Sequence, residues 1–160
     1  MEPISYNPIG VVETPFDDRE GMPIQAAGGA GIRGRIRLFE EYTMGLKDLD
    51  GFSHLFLIYH FHLTRDTQLV VTPFLDKTPR GVFATRSPNH PNPIGISIVR
   101  LIEIRGVTLE IEDVDMVNGT PLLDIKPHVP AFDHRQPEKL GWLAETGAAV
   151  KQTRADNRFT

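Results

Sequence analysis

The chain has 160 residues, no cysteine, 24% charged residues and a formal net charge of −4. That length makes one ordinary domain with its own core, and the missing thiols exclude disulfide scaffolds, thiolate metal sites, iron–sulfur clusters and thiol catalysis. An acidic balance argues against a non-specific grip on nucleic acid, which needs a basic excess.

Thirteen prolines and fourteen glycines are spread along the whole chain. They leave little room for long helices and punctuate the sequence at the spacing of short strands. The segment 10–16 reads as a first strand ended by Pro15. Residues 32–39 alternate, with Arg33, Arg35 and Arg37 on one side and Ile36 and Leu38 on the other. Residues 40–49 fit one short helix through Tyr42, Leu46 and Leu49. The apolar run 52–61 reads as a buried strand, and 67–72 and 81–86 as two more. Strands starting at Ile94 and at Val107 meet at the Arg105-Gly106 turn as a hairpin. Val114–Met116 and Leu122–Ile125 flank Asn118-Gly119, a type I′ turn signal. Past Pro130 the chain turns polar, with a helical turn expected over 138–143 and fraying over 156–160. The expected fold is one mostly β domain, a barrel or a sandwich, closed or nearly closed to hide its edges.

No apolar run approaches the ~20 residues of a membrane span. The start, Met1-Glu2-Pro3-Ile4-Ser5, lacks the basic and apolar regions of a signal peptide, so a cytoplasmic protein is expected.

Several segments could carry chemistry. Gly29-Ala30-Gly31-Ile32-Arg33-Gly34 matches the dinucleotide pattern in letters, but an alternating strand follows where the pattern needs a helix. His60 and His62 share a strand face, and with His90 they could hold a hydrolytic metal ion; the plainer alternative is no metal, with the histidines packing or bordering a cofactor. The loop from Arg86 to Gly95 holds three prolines and two asparagines, a stiff polar loop with a cation at its root. Asp124 and Lys126 stand two apart on a strand, either as a surface ion pair or as working groups if that face lines a cavity. The arginine stripe is either an RNA surface or a solvated face paired with acids.

Two long motifs then point to a family. Val82-Phe83-Ala84-Thr85-Arg86-Ser87-Pro88-Asn89-His90-Pro91-Asn92-Pro93-Ile94-Gly95, followed by Asn118-Gly119-Thr120-Pro121-Leu122-Leu123-Asp124-Ile125-Lys126-Pro127, resembles the TsaA-like, or TrmO, family. Ile9-Gly10-Val11, Pro23-Ile24-Gln25, Gly51-Phe52-Ser53-His54-Leu55 and Phe61-His62 add to it, so the resemblance runs from about residue 8 to about residue 130. It implies a mostly β fold, a single antiparallel β-barrel domain with short helical segments, over residues 1–135, that binds S-adenosylmethionine without a Rossmann fold. Residues 136–160 then form an extension, partly helical or disordered. It implies a homodimer with sites near the subunit interface, and methylation of N6 of threonylcarbamoyl-adenosine at tRNA position 37.

By this resemblance the cofactor site comprises Gln25, Ala26, Ala27, His62, Leu63, Thr64, Arg86, Ile96, Asn118, Gly119, Thr120 and Pro121. Arg86 suits the cofactor's carboxylate. Asp124 is the candidate proton acceptor at the adenine amine, and Lys126 the partner of the threonyl carboxylate. Two departures bear on the substrate: Asn118 stands where the family commonly has Asp, and the chain is too short for the C-terminal domain of the better-known enzyme. A binding module that holds the cofactor without transfer is the alternative from another class.

Overall fold

A computed structural model of the chain describes residues 2–146, 149, 151–156 and 159. Six strands close a barrel: β1 (Gly10–Glu13), β2 (Arg33–Leu38), β3 (His54–His60), β6 (Ile94–Arg105), β7 (Thr108–Glu112) and β8 (Thr120–Pro127), in the order β1-β2-β7-β6-β3-β8. All neighbours run antiparallel, and β1 pairs with both β2 and β8, so no barrel edge is left open. Two-residue strands β4 (Val70–Val71) and β5 (Arg80–Gly81) pair outside the barrel in the long connection between β3 and β6.

Period-2 alternation fills the interior. Val12, Ile36, Leu55, Leu57, Val99, Leu109, Ile111 and Leu122 are fully buried, and Val114 and Met116 join the same cluster from the β7–β8 connection. The apolar run expected as a buried strand is buried on one face only. Leu55, Leu57 and Tyr59 point in, whereas Phe56 and Ile58 are half-buried on the outside. On β6 the pattern is inverted: Gly95 and Ser97 face the core, while Ile94, Ile96 and Ile98 are exposed. The Tyr59 ring explains the glycine. It lies against Gly95 on the paired strand, where a Cβ would collide with it.

Elsewhere the local reading needs correction. The helix expected over 40–49 is two short 3-10 turns, Glu40–Leu46 and Leu49–Gly51, split where Asp48 takes a left-handed φ of 66°. The strand expected at 81–86 lasts through Gly81 and then becomes a 3-10 turn over Val82–Ala84. Val114–Met116 is not a strand. The turn at Asn118-Gly119 is not type I′, because Gly119 is at φ 79° but Asn118 is not at positive φ.

The C-terminal residues pack back on the barrel mouth. Short helices α1 (Pro130–Asp133) and α2 (Leu143–Thr146) lead into a segment that bridges to the N-terminal loop. Ala155 donates to Met22 O and accepts from Gly21 N, both at 2.9 Å. Phe159 is buried against Val71, Val82 and Phe74, with its ring edge-on to Phe74 at 5.0 Å. Of the fraying expected over 156–160, residues 157, 158 and 160 lie outside the described residues.

Candidate cofactor pocket

One end of the barrel opens into a cavity of about 810 Å³, inside the usual range of small-molecule sites. Four parts of the sequence wall it. The 22–27 segment contributes Gln25 and Ala27, the barrel contributes Tyr59, Ile96 and Thr120, and the proline loop contributes Arg86, Ser87 and His90. Trp142, Leu143, Ala155 and Phe159 close the remaining side.

Of the residues expected to hold a cofactor, Gln25, Ala27, His62, Leu63, Arg86, Ile96 and Thr120 line this cavity. Ala26, Thr64, Asn118, Gly119 and Pro121 flank the lining segments without lining it. Asn118 is turned away: its Oδ1 accepts from Thr14 N at 3.2 Å and its Nδ2 donates to Asp17 Oδ1 at 3.3 Å. Thr120 is buried and donates to Val117 O at 2.6 Å, which fixes the start of β8.

The electrostatics of the cavity are mixed. Arg86 Nη1 donates to Gln25 Oε1 at 2.8 Å, and the guanidinium remains exposed at the cavity wall. Burial, with repulsion from His60 and Arg19, holds the His62 imidazole below its usual pKa. Burial pushes the Tyr59 hydroxyl up and pushes the Asp115 carboxyl up to about 6. Ser97 Oγ donates to Asp115 Oδ1 at 2.6 Å and stands 3.0 Å from Tyr59 Oη, so a hydrogen-bonded chain runs from the barrel interior to the cavity wall.

The buried Ser87 Oγ, His90 Nε2 and Thr64 Oγ1 have no hydrogen-bond partner among the described residues. Two of these residues, Ser87 and His90, line the cavity. A buried polar atom without a partner is costly, so a polar ligand there gains contacts the fold leaves open. Apolar walls with a few convergent polar groups fit S-adenosylmethionine, which joins an adenine and a ribose to a charged amino-acid end.

Asp124 and Lys126 are elsewhere. A bulge in the β3–β8 pairing turns Leu122 and Ile125 toward the core and leaves Asp124 opposite Ile58 on the outer face. There Lys126 Nζ meets Asp124 Oδ2 at 2.9 Å. Asp124 borders a small separate cleft of about 330 Å³ with Leu38 and Tyr42. The hydrolytic metal alternative finds no support. His60 lies on the outer face of β3, and no group of three or more metal-ligating side chains occurs among the described residues.

The arginine stripe is paired with acids. Arg35 meets Glu110 at 2.8 Å, Arg37 meets Glu13 at 3.3 Å and Arg33 meets Glu112 at 3.7 Å. Cross-strand register puts Arg33 opposite Glu112 and Arg35 opposite Glu110.

Tyr59, Ser87, Asp115, Phe74, Phe83, Trp142 and Phe159 were not among the residues expected at the site, yet all line the cavity. Tyr59 and Asp115 carried no spacing signal, and the aromatic residues reach the cavity through tertiary contacts alone.

Comparison with known proteins points to a family. The family described as the tRNA-methyltransferase O N-terminal domain matches residues 11–134. A probable S-adenosyl-L-methionine-binding protein of Pyrococcus abyssi is 49% identical over 156 residues, covering 98% of this chain and 85% of the relative. A tRNA (adenine(37)-N6)-methyltransferase of Escherichia coli is 34% identical over 161 residues, covering 94% of this chain and 68% of the relative. The crystal structure of TrmO from Pseudomonas aeruginosa superposes with a TM-score of 0.74 at 31% identity, covering 88% of this chain and 63% of that one. The chain thus spans less than two thirds of that solved structure. It belongs to the tRNA-methyltransferase O N-terminal domain family.

Proposed function

We propose that the chain binds S-adenosylmethionine in the barrel-end pocket and transfers its methyl group to N6 of threonylcarbamoyl-adenosine at position 37 of tRNA. The observation that carries this reading is the gathering of Gln25, His62, Arg86 and Thr120, far apart in sequence, around one cavity with unpartnered polar atoms in its wall. On this reading residues 1–135 are the cofactor-binding barrel and residues 136–160 an extension that walls its pocket. A tRNA acceptor fits a cytoplasmic protein, and no helix among the described residues is long and apolar enough to cross a membrane.

When bound, S-adenosylmethionine would supply an activated methyl group to N6 and leave as S-adenosylhomocysteine, with the N6 proton passing to water. The chain's own part is to bind, orient and exclude water. Arg86 offers its fork to a carboxylate, with Gln25 holding one arm. Phe61, Phe74 and Phe83 supply the apolar walls that keep water out.

The chain acts as a homodimer. Ile94, Ile96 and Ile98 form an exposed stripe beside half-buried Phe56 and Ile58 on the paired strand. Ile94 and Ile96 also line the cavity, so a second copy seated on this stripe adds to the same pocket.

A second reading, cofactor binding without transfer, is favoured by one observation. Asp124 and Lys126 lie outside the cavity of their own chain, so no side chain expected to take the proton from N6 is there. Labelled methyl transfer separates the two. Incubation with methyl-labelled S-adenosylmethionine and tRNA that carries threonylcarbamoyl-adenosine without its N6-methyl labels the RNA on the first reading and leaves it unlabelled on the second.

A further inference from the structure

We propose that Asp115 is a cofactor-contacting residue that holds the α-ammonium of S-adenosylmethionine while Arg86 takes the α-carboxylate. The proposal rests on the reading of the pocket as the S-adenosylmethionine site and adds how its amino-acid end is recognised.

Among the described residues that line the cavity, Asp115 is the one carboxylate. Its neighbours there are mostly apolar or cationic, with Met116 and Val117 beside it in sequence and Arg86 in the same wall. A carboxylate with no cation in contact is an expensive group to keep in such a wall. Arg86 is near enough to lower the pKa of both Asp115 and Tyr59. Yet its hydrogen bond goes to Gln25 Oε1, at 2.8 Å, rather than to Asp115. The cavity wall therefore holds two arginines, Arg19 and Arg86, and one carboxylate, and Arg86 and Asp115 face the cavity without joining. An α-amino acid carries one charge of each sign on a single carbon and can bridge such a pair.

The fold fixes the Asp115 side chain in advance. Ser97 Oγ donates to Oδ1 at 2.6 Å, and the Ala26 backbone amide favours the ionised carboxylate. Ser97 is itself fixed by Tyr59 Oη, 3.0 Å away and buried beside it. Ser97 points inward on β6, between Gly95 and Val99, where the barrel would ordinarily take an apolar side chain. Ser97 is thus a positioning residue, and its buried hydroxyl has a reason to be there.

The groups that bear on Asp115 come from each element packed against it: Tyr59 on β3, Ser97 on β6, the Ala26 amide and Arg86 on the proline loop. Burial raises the carboxyl toward 6, and a bound ammonium favours its ionised form. Cofactor binding then expels a proton from Asp115 near that pH, and affinity rises as the pH climbs through it.

The test measures by calorimetry the affinity of the wild type and Asp115→Asn for three ligands. S-adenosylmethionine has the ammonium and the sulfonium, S-adenosylhomocysteine has the ammonium alone, and 5′-methylthioadenosine has neither. At pH 7.5 the variant should lose about tenfold or more toward the first two, equivalent to ~1.4 kcal/mol, and nothing toward the third. Wild-type affinity for S-adenosylmethionine should rise between pH 5 and 7, and the variant should lack the part of that rise due to Asp115. Ser97→Ala, which keeps the carboxylate but frees it, should lose a smaller factor toward the same two ligands. Loss confined to S-adenosylmethionine would assign Asp115 to the sulfonium and overturn the proposal. Equal losses toward all three ligands, or none toward any, would overturn it too. A wild type that binds none of the three would instead overturn the reading of the pocket itself.

Discussion

Arg86 and Gln25, 61 residues apart in sequence, meet across the mouth of the barrel through a 2.8 Å hydrogen bond. That contact joins the proline loop to the 22–27 segment at the cavity wall and uses one of the five guanidinium N–H donors. Arg86→Ala should weaken S-adenosylmethionine binding by about 2 kcal/mol, the scale of a lost charge-assisted contact. Titration of the variant against the wild type checks it, and unchanged affinity would remove Arg86 from the cofactor site.

Replacement of Arg33, Arg35 and Arg37 together by Gln should leave both tRNA affinity and its salt dependence within about twofold, since each arginine is already matched by Glu112, Glu110 or Glu13. Loss of stability should stay below ~1 kcal/mol per pair, because all three arginines are largely exposed. Binding of labelled tRNA across a salt series reads the first, and thermal melting the second. A flattened salt slope would make the stripe a tRNA surface.

The stability of the protein should carry a signature of Asp115. Its folded pKa, about 6, lies above the ordinary 3.8, chiefly through burial. The folded state therefore holds this proton more tightly than the unfolded chain, and the group's contribution falls as pH rises from about 4 to about 6. At ~1.4 kcal/mol per unit the fall amounts to about 3 kcal/mol. Asp115→Asn lacks it, so the variant should gain on the wild type across that window in denaturant melts. Parallel curves for the two proteins would contradict the burial of the charge.

Ile98→Asp places a charge in the middle of the exposed isoleucine stripe without touching the cavity lining. On sedimentation the wild type should run as a dimer at micromolar concentration and the variant as a 17.9 kDa monomer. A monomeric wild type would remove the second copy from the pocket.

The sequence shows the barrel more readily than it shows the site. Alternation in Thr108–Glu112 and in Arg33–Leu38 marks which side chains share a face, and both segments are strands of the closed sheet. What alternation cannot show is register and bulges. Arg35 finds Glu110 only through pairing across 75 residues. The slip at Ile58–Tyr59 decides that Asp124 faces Ile58 outside the barrel. Asp115, a lone acid between Val114 and Met116, has no periodic pattern to announce it. Its place in the cavity follows from the Ser97 hydroxyl 18 residues earlier. Trp142 reaches the cavity through a hydrogen bond to Ala84 O at 2.8 Å, a contact no local pattern carries.

The most direct measurement of the central claim is mass spectrometry of nucleosides from tRNA treated with the protein and S-adenosylmethionine. The account predicts that threonylcarbamoyl-adenosine gains one methyl group with the wild type and gains much less with Arg86→Ala. Unchanged threonylcarbamoyl-adenosine, from a protein shown by calorimetry to bind S-adenosylmethionine, would contradict it and leave the chain a cofactor-binding protein.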